Sequence, residues 1–234
     1  MSDPGERDAR SALRARHYDL NSAETPSLLR RCFAREEPRS VTARGDIGII
    51  DEPLIGFFCS IRCPGDIILR TYDLARTLRG TDLTLIGGFQ SPMEKEFLDL
   101  LLRGSARVVV CPARSIENMR IRREWRTPIS DGRLLILSSF GRSQYRATAA
   151  LAAQRNALVA ALATEVVIPY AAPGGKTESL ARRHAGAGKS ILTLDSPANA
   201  NLIAIGASTI EAQHSTHQKA SVPRRHPGAR GRDE

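Results

Sequence analysis

Between Val167 and Asp195 the chain reads VIPYAAPGGKTESLARRHAGAGKSILTLD. Gly174 and Gly175 permit positive φ angles or a close backbone approach. Lys176, Thr177 and Glu178 follow at the point where an apolar run gives way to a helical pattern. Free N–H groups in a first helical turn, with the helix dipole behind them, suit an anion. Lys176 would add a charge there and Thr177 a hydroxyl. An ordinary tight strand-to-helix turn is the plainer alternative. The spacing is not that of a Walker phosphate loop, G-x-x-x-x-G-K-[ST]. GAGKS at 186–190 matches only its end, and it closes a helix and opens a strand, the wrong context for such a loop.

Two other stretches carry similar chemistry. In CSIRCPGD, Ser60 and Arg62 follow an apolar run, and a hydroxyl with a guanidinium at a strand's end can hold a phosphate. A turn serine and a surface arginine are the bland alternative. Arg155 and Asn156 interrupt an Ala/Leu-rich helical run just before another apolar stretch. They form either a solvated face or a pair pointing back over the sheet edge. Cys32, Cys59, Cys63 and Cys111 include no C-x-x-C pair. Cys59 and Cys63 have no partner pair to complete a zinc site, so a reduced chain without a metal is expected.

Residues of this kind must be carried by a scaffold, and its elements are legible. EPLIGFFCS, DLTLIGG, ARVVVCPA, GRLLILSSF, TEVVIPYAA and KSILTLD are apolar runs of strand length. Helical patterns separate them: DIILRTYDLARTLRG, SPMEKEFLDLLLRG, SIENMRIRREW, SQYRATAALAAQRNALVAALA and KTESLARRHAGAG. Ser91 and Pro92 are a cap and first-turn pair, and Gly104 closes that helix. Apolar strands alternating with helices predict an α/β fold, a Rossmann-like parallel sheet with helices on both faces. Its crossovers should be right-handed, and ligands should bind beyond the carboxyl ends of its strands. That rule selects the loops after GFFCS, after LIGG (with Gly87 and Gly88), after VVVCPA and after VIPYAA.

The chain has 234 residues and a formal net charge of +9, enough for one well-buried domain and a balance that favours polyanionic partners. Basic residues gather at RIRREWR, at RRHAGAGK and in the tail KASVPRRHPGARGR. A basic surface with no partner is the neutral alternative. Residues 1–45 read as a helical or flexible extension, with SLLRRCF as a short helix. Residues 46–212 read as the core, and 213–234 as a flexible basic tail. MSDPGERDAR lacks the apolar segment of a signal peptide, and no run reaches membrane-spanning length. A soluble cytoplasmic protein is expected.

The ordered segments resemble the Rossmann-like core of the DNA-processing protein A family, bacterial mediators of transformation and recombination, over about residues 50–210. Ser60 and Arg62 match the Gly-Ser-Arg end of that family's first strand. IGGFQSPME stands where the family has Ser-Gly-Leu-Ala-Arg-Gly. RNALVAALA resembles its Arg-Asn segment, and SPANANLIAIGAS, with Asn201, its G-x-N-x-L-I-x-x-G-A segment. The resemblance implies single-stranded DNA or a nucleotide-like phosphate as ligand, with Arg62, Arg155, Lys176, Arg182, Arg183 and Asn201 forming a rim. It also implies a possible homodimer, with EVVIPY and SILTL as candidate contributors, and leaves a recombinase partner open. It calls for no cofactor. PGGKTESL is also similar to the Pro-Gly-Gly-x-Gly-Thr-x-x-Glu segment of lysine-decarboxylase-like nucleoside 5'-monophosphate phosphoribohydrolases. Here one Gly is missing and Glu178 is out of register. Base release from a nucleotide and non-catalytic nucleotide sensing therefore stand as alternatives.

Overall fold

The computed structural model describes residues 11–33 and 38–210. The basic tail from residue 213 onward lies outside them, as do residues 1–10 of the N-terminal extension. Nine strands form one sheet: β1 (Arg16–Asp19), β2 (Ser40–Arg44), β3 (Leu54–Phe57), β4 (Thr84–Gly87), β5 (Arg107–Val110), β6 (Leu134–Ser138), β7 (Glu165–Val167), β8 (Ser190–Leu194) and β9 (Ser208–Ile210). Their spatial order is β1-β2-β6-β5-β4-β3-β7-β8-β9. From β6 to β9 every pairing is parallel. β1 and β2 pair antiparallel with each other, and β2 with β6. The α/β expectation holds, with an antiparallel ribbon added at one edge. That ribbon comes from residues read from sequence as an extension.

The helices are α1 (Ser27–Cys32), α2 (Gly65–Leu78), α3 (Pro92–Leu102), α4 (Arg123–Ser130), α5 (Ala149–Leu162), α6 (Lys176–Gly186) and α7 (Ala200–Ile203). They cover both faces because the central strands are apolar on both faces. Alternate residues enter different cores. Leu54, Ile86, Val109 and Leu135 pack with α1, α5, α6 and α7 on one side. Ile55, Phe57, Leu85, Val108, Val110 and Leu134 pack with α2, α3 and α4 on the other. Phe57 of β3 stacks on Phe97 of α3 at 3.8 Å between ring centroids. Each such fully buried side chain contributes about 1.5–3 kcal/mol through removal from water.

Two helices differ in extent from the sequence pattern. SIENMRIRREW predicts a helix from Ser115, yet α4 begins at Arg123. Arg44 of β2 explains the delay. Its Nε and Nη2 donate to the carbonyls of Ile116 (3.2 Å) and Glu117 (2.6 Å), occupying acceptors that a helix there would use. α5 begins later than its Ala-rich pattern, with Thr148 accepting from Leu151 N as its cap. At its other end Lys189 Nζ donates to the carbonyls of Ala160, Ala161 and Ala163 at 2.9–3.0 Å. A cation on the last carbonyls of a helix that has no basic residue of its own in that turn fixes where the helix ends. No described helix is long and apolar enough to cross a membrane.

β3 is the point where chain order reverses. β4, β5 and β6 are laid down on one side of it, then β7, β8 and β9 on the other. The loops leaving β3 and β7 lead to helices on opposite faces of the sheet, α2 and α6, and a crevice lies at this carboxyl edge, where α/β sheets take ligands.

Candidate functional site

The crevice is a cleft of about 760 Å³. The loop after β3 supplies Ser60 and Arg62, the β4–α3 turn and the start of α3 supply Gln90, Ser91, Pro92 and Glu94, α5 supplies Arg155 and Asn156, and the β7–α6 loop with the start of α6 supplies Ala172, Lys176 and Thr177.

Main-chain bonds continue the β3–β7 pairing past the strand ends. Phe58 N donates to Val167 O and Ser60 N to Tyr170 O, both at 3.1 Å. Ser60 Oγ then accepts from Ala172 N at 3.0 Å. The buried hydroxyl read as a phosphate ligand thus also ties one loop to the other. Arg62, on the same loop, is exposed.

The Pro-Gly-Gly turn has two different glycines. Gly174 has φ +69°, in the left-handed region, and a Cβ there would meet nothing within 4 Å. A Cβ on Gly175 would lie 2.8 Å from the Ala172 carbonyl oxygen. That carbonyl accepts from Gly175 N at 2.9 Å, so the turn closes on itself. α6 starts at Lys176 without a side-chain cap. Glu178 folds back instead, and its carboxylate accepts from Gly174 N at 2.5 Å and from Arg182 Nε at 3.0 Å. Arg182 first, then the Gly174 N–H and Asn201, hold the Glu178 carboxyl below its usual range. Glu178 therefore sits buried and ionised with both oxygens engaged. Lys176 and Thr177, the first two residues of α6, line the cleft, and the first-turn amides of a helix have no partner within it.

Arg155 is 4 % exposed. Its Nη1 donates to the Cys111 carbonyl at 2.8 Å, its Nη2 to Gln90 Oε1 at 3.1 Å, and its Nε to Asn156 Oδ1 at 2.7 Å. Burial pulls its pKa down, and the charge of Glu94 opposes that; a guanidinium remains charged regardless. Room for it exists only because residue 88 is glycine. A Cβ on Gly88 would fall 1.5 Å from Nη1. Gly87 lies in β4, where a Cβ would meet the Phe89 ring and the Phe57 carbonyl at 3.0–3.1 Å. Phe89 itself has φ +48°, a left-handed conformation uncommon for a non-glycine residue. Packing of its buried ring, 6.4 Å from Phe57, holds that conformation at the rim.

Glu94 is the site residue that sequence reasoning missed. Ser91-x-x-Glu94 forms a capping box on α3. Beyond it, Glu94 Oε1 accepts from Cys59 N at 3.0 Å and Oε2 from Gln90 N at 2.8 Å and Ser91 N at 3.1 Å. One buried carboxylate thus holds the loops after β3 and β4 together. The S-x-x-E spacing was the available signal for the cap, but nothing in it points to Cys59. The hydrogen bond with Cys63, together with burial, pushes the Cys59 thiol well up, so it stays protonated.

Of the proposed rim, Arg182 is engaged with Glu178 and Arg183 is exposed on α6. Asn201 donates to Ala171 O at 3.1 Å and packs behind the Pro-Gly-Gly turn rather than lining the cleft. Ser60, Arg62, Arg155, Asn156, Lys176 and Thr177 all meet in it. The arrangement offers cations to an anion, while its two buried carboxylates are already engaged, Glu94 by backbone amides and Glu178 by the Gly174 amide and the Arg182 guanidinium.

Neither a family model nor a curated protein matches the chain by sequence. Solved structures match it in fold. DNA processing protein A from Streptococcus pneumoniae is 12% identical with a TM-score of 0.68, over 87% of this chain and 73% of that one. DNA processing protein A from Helicobacter pylori, whose structure concerns its single-stranded DNA binding mode, is 19% identical with a TM-score of 0.64, over 83% and 90%. The molybdenum cofactor binding protein from Rippkaea orientalis is 11% identical with a TM-score of 0.50, over 69% and 91%. These likenesses show the fold, a Rossmann-like α/β architecture.

Proposed function

We propose that the protein binds single-stranded DNA in the switch-point cleft without chemical change, in a cytoplasmic role in recombination or DNA uptake. The observation that carries this reading is the convergence of Arg62, Lys176 and the first-turn amides of α6 on one cleft whose carboxylates are already hydrogen-bonded. A phosphate group fits such donors, and helix dipole and ammonium add to them. The fold likeness to two DNA processing A proteins, one described as binding single-stranded DNA, supports the polymer as ligand.

The size of the cleft, about 760 Å³, favours one second reading, a free nucleotide held by the same phosphate contacts. Base release from that nucleotide is disfavoured. A carboxylate must be held free and close to the sugar to act on it, and Glu178 is turned into its own helix start.

A titration of labelled single strands at two salt concentrations tests the proposal. Binding should weaken with salt by about 0.7 in log–log slope for each phosphate neutralised. Gly175→Trp should abolish it, because a bulky side chain blocks the backbone approach. Absence of binding at low salt overturns the proposal. Binding of nucleoside monophosphates alone moves the protein to the second reading. Free base released at about 1 per second or faster, and lost in Glu178→Ala, would make it an enzyme.

A further inference from the structure

A second cleft adjoins the first at the same edge of the sheet. It has a volume of about 490 Å³ and lies beyond the carboxyl ends of β4 and β5. Gln90 lines both clefts, and Arg155 reaches Gln90 from beneath. Phe89, Met119 and Trp125 are among the residues that line the second cleft, the two aromatic side chains largely buried. Its rim carries Lys95, Arg114, Arg120 and Arg122, all exposed, against one carboxylate, Asp99. Among the described residues, none of these four cations has a carboxylate within ion-pair distance. The Arg122 guanidinium lies 5.1 Å from the Trp125 ring centroid, and the buried Trp125 Nε1 has no hydrogen-bond partner. RIRREWR was recognisable in the sequence only as a charged patch. The fold sets it beside the phosphate-binding cleft.

We infer that this second cleft is a further nucleotide subsite, receiving the next nucleotides of the strand whose phosphate is held at α6. The inference rests on the proposed single-stranded DNA binding and extends it. Arg114, Arg120 and Arg122 pair with successive backbone phosphates, and the aromatic lining receives a base. A basic groove beside aromatic faces is the combination that takes single strands without sequence preference. Asp99 disfavours an unneutralised acidic ligand only weakly against four cations. A mononucleotide would fill the first cleft alone and leave these arginines unused, so the second cleft makes affinity depend on length.

Trp125 is the sole tryptophan of the chain and therefore a reporter confined to this cleft. Thymidine monophosphate and oligothymidylates of increasing length are titrated into the full chain, with anisotropy and Trp125 fluorescence read together. Affinity should rise at least tenfold from the monophosphate to the octamer, and Trp125 should respond to the octamer but not to the monophosphate. The triple variant Arg114→Ala, Arg120→Ala, Arg122→Ala should bind monophosphate as the wild type does. It should lose the gain with length and about 2 in salt slope. A double variant that keeps Arg122, and with it the contact to Trp125, should show part of the same loss, which separates the effect from a folding defect. Retained length dependence in the triple variant, or Trp125 fluorescence indifferent to the octamer, overturns the second subsite. If oligomers fail to bind the wild type at low salt, the proposed function itself falls and takes this inference with it.

Discussion

Two Gly-Gly pairs lie at the same sheet edge, 87–88 at the end of β4 and 174–175 just before α6, and they serve opposite purposes. The first makes space for the protein's own cation. Gly88 yields its side-chain volume to Arg155, which spends its donors on Cys111, Gln90 and Asn156. The second is open at its first position, Gly174. Nothing lies within 4 Å of a Cβ on Gly174, and the amides beyond it open a helix with no side-chain cap. Identical dipeptides therefore mark a filled position and an open one. What separates them is whether a long side chain from another element returns to the spot, which local sequence does not record.

The largest effect should come from forcing the filled pair. Gly88→Ala drives a methyl into the Arg155 guanidinium and displaces a buried charge. That should cost about 3–5 kcal/mol, or roughly 10 °C in thermal midpoint. Adding Arg155→Ala should return part of that loss, because the clash vanishes with its partner. Additive losses in the double variant would mean that Gly88 is needed for some other reason.

The open pair should respond more mildly. Gly174→Ala meets no neighbour and suffers only left-handed strain, about 1 kcal/mol. Phosphate affinity should change little, since the amides proposed to bind it lie further along. A loss of stability matching that of Gly88→Ala would break the contrast between the two pairs.

A pH-dependent effect concerns the helix that the Pro-Gly-Gly turn begins. His184 of α6 is buried, and burial, followed by the charge of Lys189, lowers its pKa to about 4. The unfolded chain takes up a proton near pH 6.5, while the folded chain does so only near pH 4. Stability is thus fully present above pH 6.5 and is lost as pH falls toward 4. Denaturant midpoints should place the protein about 2 kcal/mol lower at pH 5 than at pH 7 through this residue. His184→Leu should flatten that part of the profile. An unchanged slope would assign the acid sensitivity elsewhere.

Much of the scaffold was legible because it rests on local pattern. Six apolar runs became the strands β3 to β8, and their crossovers follow from a parallel sheet. β1 escaped because RHYD is a mostly exposed edge strand without an apolar run, and β9 because STI is short and mostly exposed. β7 and β8 each have a neighbour on both sides, so a homodimer through a sheet edge has β1 or β9 to use rather than EVVIPY or SILTL. Within the site, glycines and first-turn residues announced the β7–α6 loop. The burial of Arg155, the reach of Glu94 to Cys59 and the adjacency of RIRREWR depend on long-range placement, which residue spacing does not encode.

The placement of Glu94 has a mechanical consequence. Its carboxylate accepts from Cys59 on one side and from Gln90 and Ser91 on the other. The two walls that carry these amides are latched to the start of α3, and parting them would strand a buried carboxylate. That is a costly opening, of several kcal/mol. Any breathing of the cleft during entry of a ligand must then come from the opposite bank, the Pro-Gly-Gly turn and the start of α6. In hydrogen exchange, the amides of Cys59, Gln90 and Ser91 should be among the slowest around the cleft, and those of Lys176 and Thr177 among the fastest.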